Sequence, residues 1–435
     1  MRFRARNFRH CRLWLWLCCA LLPLPLQASL IGVGADAIGE PIAEIVVRGN
    51  DRTQKDYILL ESELEVGQII TVQRLDFAIQ ELRDTDLFTD IQMQTERLEN
   101  GEILLRIIVV ERRYFWLLLP RVSRNSSGDI KAGFRLRMYN LWGAGHEVDL
   151  LGQQEQRTGG DEANELRLSY DWPKFKKHYD LGWRADRTVT NTSVEDFDNV
   201  ITRDRFGFTV ARDKDLGEFA TPLTFVAGIG FERRMLEQPF PESIEAQEGG
   251  IFNTLSLSLV YDDVHRERYR RFGNYYGGVY TQGFDWLGSD YDSSIFDFEI
   301  QGFNRLNSFD NFNFRGVLEF SNNPPYDYPL YGIGGGSTIR GLEGYDAIGN
   351  ARLFGNFELV FAYRKHPGIR HTLFVDAGNV YDRLEDIDIT DLQYTVGTGF
   401  RWKIEAFVKT DLIIDYGYDV EGGQGKLYGG TSLNF

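Results

Sequence analysis

The chain has 435 residues, a formal charge of −16, 45 glycines and an aromatic complement of 31 Phe, 21 Tyr and 8 Trp. So acidic a protein has little attraction for the phosphate backbone of nucleic acid. Its three cysteines, Cys11, Cys18 and Cys19, all precede residue 28, so the rest of the chain has no thiol to misoxidise and no disulfide to hold it.

Residues 1–28 read as a signal peptide. Arg2, Arg4, Arg6, Arg9 and Arg12 form a basic leader, residues 13–26 an apolar core, and Gln27-Ala28-Ser29 a cleavage point after Ala28. The core is too short, and too interrupted by Pro23 and Pro25, to span a membrane. Leu17 before Cys18 stands where a lipid-modified cysteine would want a small neighbour, which argues against a lipoprotein. No later segment is long and apolar enough for a transmembrane helix. An exported chain with this much aromatic residue and glycine, and no such helix, points to β-structure.

Residues 41–112 read as a small α+β domain. The alternation from Ile42 through Ile45 and Val47 closes on Gly49-Asn50, a strand and a turn. Thr53 is the expected cap of a helix through Tyr57, Leu59 and Leu60. Beyond Val66-Gly67-Gln68, the spacing of Leu75, Ala78, Ile79 and Leu82 predicts a second helix. Two strands follow at 88–98 and 103–111, joined at Asn100-Gly101, a strong hairpin dipeptide. The β-α-α-β-β order, the opening I-x-x-I-x-V-x-G-N and the D-L-F-x-D-I run at Asp86–Ile91 resemble a POTRA domain. That resemblance implies a single periplasmic POTRA domain with a free sheet edge for a partner.

From 113 to 435 the texture changes to alternating strands. Leu166, Leu168 and Tyr170 alternate with Glu165, Arg167, Ser169 and Asp171, and Leu255, Leu257, Leu259 and Tyr261 with Thr254, Ser256 and Ser258. Phe296, Phe298 and Ile300 alternate with Asp297, Glu299 and Gln301, and Leu412, Ile414 and Tyr416 face away from Asp411 and Asp415. One apolar and one charged face on nearly every strand suits a barrel with lipid outside and water inside. The expected fold is therefore mainly β, an antiparallel transmembrane barrel of about 16 strands after the α+β domain.

With the chain entering the barrel at the periplasmic side, every second connection is extracellular. Residues 140–146 (Asn-Leu-Trp-Gly-Ala-Gly-His) and 266–271 then become periplasmic turns, and 321–350 the sixth extracellular loop. That loop holds Ile339-Arg340-Gly341-Leu342-Glu343-Gly344-Tyr345. The next wall but one holds Phe374-Val375-Asp376-Ala377-Gly378-Asn379-Val380. An arginine fork suits bidentate capture of a carboxylate where water is scarce, and glycine lets a loop approach a wall closely. The chain ends in Tyr428-Gly429-Gly430-Thr431-Ser432-Leu433-Asn434-Phe435, a polar-x-Gly-x-x-apolar-x-aromatic pattern with Leu427, Thr431, Leu433 and Phe435 on one face. The barrel is expected to close by pairing 114–121 with 427–435.

The VRGF/Y-like loop, the F-x-D-x-G strand and the N-L-F-G-x-G-like turn resemble those of the BamA/TamA superfamily of outer-membrane assembly and secretion barrels, also called the bacterial surface antigen family. Leu342 departs from the usual aromatic, and Tyr345 is a candidate to fill in. The resemblance implies a loop–barrel lock of Arg340, Gly341, Asp376, Gly378 and Phe374, with Glu343 and other lumenal carboxylates as competing partners. It also implies a C-terminal barrel signal of Tyr428, Gly430, Leu433 and Phe435.

Catalytic patterns are missing. There is no G-x-S-x-G elbow, and His10, His146, His178, His265, His366 and His371 lie at no metal-ligand spacing. Asp262-Asp263 and Asp196-Phe197-Asp198 read as solvated carboxylates. The expectation is a non-enzyme without cofactor or metal, in the bacterial outer membrane with its POTRA domain in the periplasm. Its expected partners are outer-membrane lipids, unfolded outer-membrane or secreted clients and a periplasmic protein held through the POTRA domain, but no nucleic acid. The expected function is assistance in the insertion and assembly of outer-membrane proteins; the alternatives are a two-partner-secretion-like pore with the Arg340 loop as a movable plug, and a structural barrel anchoring a periplasmic partner.

Overall fold

The structure, a computed structural model, describes residues 32–113, 115–125, 130–156, 161–194, 197–214, 216–217, 223–239, 249–266, 270–327, 329–344, 347–404 and 410–430. The leader, Tyr114, Asp196, Tyr345 and residues 431–435, among them Leu433 and Phe435, therefore lie outside the described residues.

The small domain folds as β1 (Ile42–Arg48), α1 (Lys55–Ser62), α2 (Val72–Asp84), β2 (Phe88–Arg97) and β3 (Ile103–Glu111). The sheet order is β1-β3-β2, with β1 parallel and β2 antiparallel to the central β3. Leu75, Ala78, Ile79 and Leu82 recur at helical spacing, and α2 lays that stripe on the sheet beside Ile45, Met93, Leu105 and Ile107, all buried. Thr71 caps α2 by accepting a hydrogen bond from the Arg74 amide at 3.1 Å.

Thr53 does not cap α1. The N-cap is Gln54, without a side-chain cap bond, because Thr53 is committed elsewhere. Its hydroxyl donates to Glu111 Oε1 at 2.6 Å and accepts from Asn140 Nδ2 at 2.8 Å, tying helix entry, sheet and barrel together. Glu111 also accepts from the amides of Thr53 at 2.7 Å and Arg52 at 3.1 Å. Charge-assisted bonds of this kind are worth about 1.5–3 kcal/mol. Glu111→Ala is therefore expected to destabilise the start of α1 by about 2 kcal/mol. Hydrogen exchange in the full chain measures this as earlier opening of residues 54–58 than of α2.

Sixteen antiparallel strands close the barrel, from Trp116–Asn125 to Gly425–Gly430. A two-residue strand, His265–Arg266, extends the hairpin before Arg271–Gly283. Side chains alternate as the sequence demands. Leu166, Leu257, Phe298, Ile414 and Tyr416 stand exposed on the outer wall. Inside, Asp149 accepts from Arg135 and Arg137, Asp186 from Arg184 and Arg205, and Glu299 from Arg315. No helix among the described residues could cross a membrane, so the strands supply the span.

The closure differs from the expected register. Tyr428 pairs with Asn125 and Gly429 with Arg124, so the described part of the seam lies beyond 114–121, near the far end of the first strand. The rest of the expected pairing falls on residues 431–435, outside the described residues.

The small domain sits against the even-numbered connections. The Gln54 amide donates to Gly143 O at 2.8 Å, Gln54 Nε2 to Trp142 O at 2.7 Å, Lys177 pairs with Glu65 at 2.7 Å, and His265 Nδ1 meets Asp84 at 3.0 Å. The turns at 140–146 and 176–178 and the residues 263–266 thus share one rim with that domain. Loop 323–350, between the eleventh strand (Asn311–Asn322) and the twelfth (Ala351–Tyr363), belongs to the other.

Candidate functional site

Loop 323–350 does not rise into solvent. Its short hairpin, Tyr331–Ile333 against Ala347–Gly349, and residues 334–344 turn into the lumen. Ile333, Ile339 and Leu342 are buried against Val317 and Phe354 of the wall. Leu342, the departure from the family pattern, thereby supplies apolar contact where an aromatic is usual.

That packing delivers Arg340 to the thirteenth strand, His366–Tyr381. Its side chain is 2% exposed and that of Asp376 fully buried. Arg340 Nε donates to Asp376 Oδ2 at 2.8 Å and Nη2 to Oδ1 at 2.7 Å, the bidentate fork; the Arg340 amide adds a third bond to Oδ2 at 3.0 Å. The guanidinium carbon lies 3.6 Å from the centre of the Phe374 ring, a desolvated cation–π contact.

The lock is larger than a pair. Arg340 Nη1 also donates to Glu358 Oε1 and, at 3.4 Å, to Asp415 Oδ2. Arg401 donates to Asp415 Oδ1, to Asp415 Oδ2 at 2.8 Å and to Glu358 Oε1 at 3.3 Å. Two guanidiniums therefore share three carboxylates, all five side chains buried, on four strands and one loop. Glu343, the competitor on the loop itself, is instead an exposed partner of Lys426.

Tyr428 enters the same site from the last strand. Its hydroxyl accepts from the Gly341 amide at 3.1 Å and donates to Leu342 O at 2.6 Å. Two glycines make the backbone approach possible. Gly341 takes φ +110°, where L side chains are strained, and a Cβ on Gly417 of the fifteenth strand (Thr410–Asp419) would stand 2.6 Å from the Arg340 carbonyl carbon and oxygen. Gly378 acts one step away, since a Cβ there would run into Phe354, a wall residue of the loop's apolar seat. Gly430 lies in the last strand, at the seam, where a Cβ would stand 3.4 Å from Ser123 Cβ.

Sequence reasoning missed Glu358, Arg401 and Asp415 as a set, and read Tyr428 only as part of a terminal signal. Each carries one visible sign, a lone inward polar residue between outward apolar ones, as in Phe357-Glu358-Leu359 and Ile414-Asp415-Tyr416. No grouping of His, Cys, Asp and Glu suited to a metal occurs among the described residues.

Residues 140–420 match the family model of the Omp85 superfamily domain. The outer membrane protein assembly factor BamA of Nitratidesulfovibrio vulgaris is 23% identical over 410 residues, which cover 89% of this chain and 50% of that protein. The chain thus spans about half the length of this curated relative. Among solved structures, BamA from Haemophilus ducreyi lacking POTRA domains 1–3 is similar with a TM-score of 0.59 at 18% identity, over 91% of this chain and 85% of that one. CdiB from Acinetobacter baumannii gives 0.67 at 12% over 90% and 73%, and CdiB from Escherichia coli 0.65 at 12% over 91% and 77%. At these identities the structural likeness concerns the fold.

Proposed function

We propose that this chain, which belongs to the Omp85 superfamily, helps to insert or assemble other outer-membrane proteins, without enzymatic chemistry, at the seam between its first and last strands. The observation that carries this reading is the seam itself. It joins the last strand to the first at Tyr428–Asn125 and Gly429–Arg124, and Tyr428 there also holds the lumenal loop through Gly341 and Leu342. An unpaired strand edge is costly in lipid, so the joint between the barrel's first and last strands, tied to a loop whose release would loosen it, is the place where a client strand can add.

The domain at 41–112 is read as a POTRA domain on the periplasmic rim, which offers clients or a periplasmic partner the free edge of β2. The assignment of 1–28 as a signal peptide and of 113–435 as the outer-membrane barrel belongs to the same reading. Arg340, Gly341, Phe374, Asp376 and Gly378 act as the lock that keeps loop 323–350 in the lumen. The packed loop also supports a second reading, a secretion pore that this loop plugs.

Depletion followed by proteomics of outer membrane and culture medium separates the two. Broad loss of barrels from the membrane supports insertion, whereas loss of one secreted protein with the membrane unchanged supports the pore. Leu433 and Phe435, with Tyr428 and Gly430, are proposed as the signal for the chain's own insertion. Phe435→Gln is expected to lower outer-membrane levels several-fold, and unchanged levels on quantitative blots would count against it.

A further inference from the structure

The outer wall is not uniformly smooth. A groove of about 760 Å³ runs across strands six to ten on the lipid-facing side, within the roughly 300–1,000 Å³ usual for ligand pockets. Its floor is made by two small outward residues, Ala227 and Gly278, in a surface otherwise built of Phe225, Leu257, Leu259 and Phe298. These neighbours stand well exposed, Leu257 at 65%, so the dent is walled by side chains that project past it.

A cation closes one end. Arg212 lines the groove and is exposed, two residues before the sixth strand ends at Lys214 on the rim shared with the small domain. It makes no ion pair among the described residues, and its guanidinium carbon lies 5.5 Å from the centre of the Tyr179 ring. An arginine on the lipid face costs about 2–4 kcal/mol at mid-membrane and about 0–1 at the interface, which is where Arg212 lies. Tyr179 pairs with Arg212 on one side and with Phe175 on the other, and the Lys176 ammonium sits 5.3 Å from the centre of the Phe175 ring. Neighbouring strands are about 4.8 Å apart, so Phe175 and Arg212, on either side of Tyr179, stand about 10 Å apart along the rim. Lys176 is held at φ +50° in its turn and, unlike Lys174 and Lys177, is given no acidic partner among the described residues.

We propose that this groove binds one anionic glycerophospholipid of the periplasmic leaflet, its acyl chain over Ala227 and Gly278 and its phosphate between Arg212 and Lys176. Two exposed cations at one rim, without an acidic partner among the described residues, in a chain of net charge −16 select an anionic headgroup rather than any amphiphile. The proposal takes from the functional reading only the membrane and its orientation, and binding in detergent is measured without either.

Native mass spectrometry of the full chain released from maltoside micelles, with phosphatidylglycerol, phosphatidylcholine or lipid A added, provides the test. One phosphatidylglycerol should be retained under activation that strips phosphatidylcholine. Arg212→Gln should weaken phosphatidylglycerol retention roughly tenfold, one charge-assisted bond, and leave phosphatidylcholine unchanged. Gly278→Leu should lower retention of both glycerophospholipids. A Cβ at Gly278 meets only Phe298 Cδ2, at an ordinary 3.8 Å, so that variant fills the groove without disturbing the wall. Equal retention of the two phospholipids, preference for lipid A, or unchanged retention in both variants would each overturn the proposal.

Discussion

Arg340→Ala is expected to free loop 323–350 from the lumen and to destabilise the barrel by about 3–5 kcal/mol, the usual cost of removing one partner from a buried ion pair. The size follows from what remains. Asp376 loses both bonds of the fork, and three buried carboxylates are left with one guanidinium, Arg401, which bonds Glu358 and Asp415. An exposed pair such as Arg187–Asp204, screened by solvent, would cost far less by comparison. Arg340→Lys should recover little. An ammonium can approach one carboxylate, whereas the guanidinium engages Asp376 through Nε and Nη2 while Nη1 serves Glu358 and Asp415. Urea unfolding in detergent gives the energy, and limited proteolysis within 323–350 reports the loop. The cycle with Asp376→Ala should be strongly non-additive, and additivity would mean that the two side chains do not act together.

Much of this site was legible because the β-strand period is two. Once the walls are read as alternating, Phe374, Asp376 and Gly378 must share the lumenal face, and an arginine in a glycine-rich loop is the natural partner. The companions of that pair were not legible for a reason of register. Asn356 and Thr395 stand opposite Asp376 on its two neighbouring strands, and that alignment sets where Glu358, Arg401 and Asp415 fall. Alignment is decided by closure of the whole barrel and by turns, not by any local run of residues. The same cause underlies the seam, expected at 114–121 and described at Arg124 and Asn125. Thr53 failed differently. A local capping preference worth about 1 kcal/mol gave way to a tertiary one, because Glu111 and Asn140 together offer its hydroxyl more than the first turn of α1 does.

Gly417→Ala should produce the phenotype of Arg340→Ala without removing a single charge. Gly417 lies on the inward face of the fifteenth strand, directly beneath the loop backbone. The added methyl would sit 2.6 Å from the Arg340 carbonyl carbon and oxygen and from the Gly341 nitrogen, all backbone atoms that cannot rotate aside. Its own backbone is not in the left-handed region, so alanine costs nothing locally and the whole penalty falls on the approach of the loop. Overpacking of this kind costs about 1–3 kcal/mol. The loop must lift, and lifting it also parts the Tyr428 hydroxyl from Gly341 and Leu342, the hydrogen bonds by which the loop holds the last strand. Gly417→Ala should therefore raise proteolysis of 323–350 and increase crosslinking of a client strand at the seam, while semi-native gels still show a folded barrel. Tyr428→Phe should give the seam effect with less loop release, because the charge cluster stays in place. Combining Gly417→Ala with Arg340→Ala should add little to either alone, since a loop already expelled has no fork left to lose. Full additivity would show that the charge cluster and the close backbone approach are separate devices rather than one latch between loop and seam.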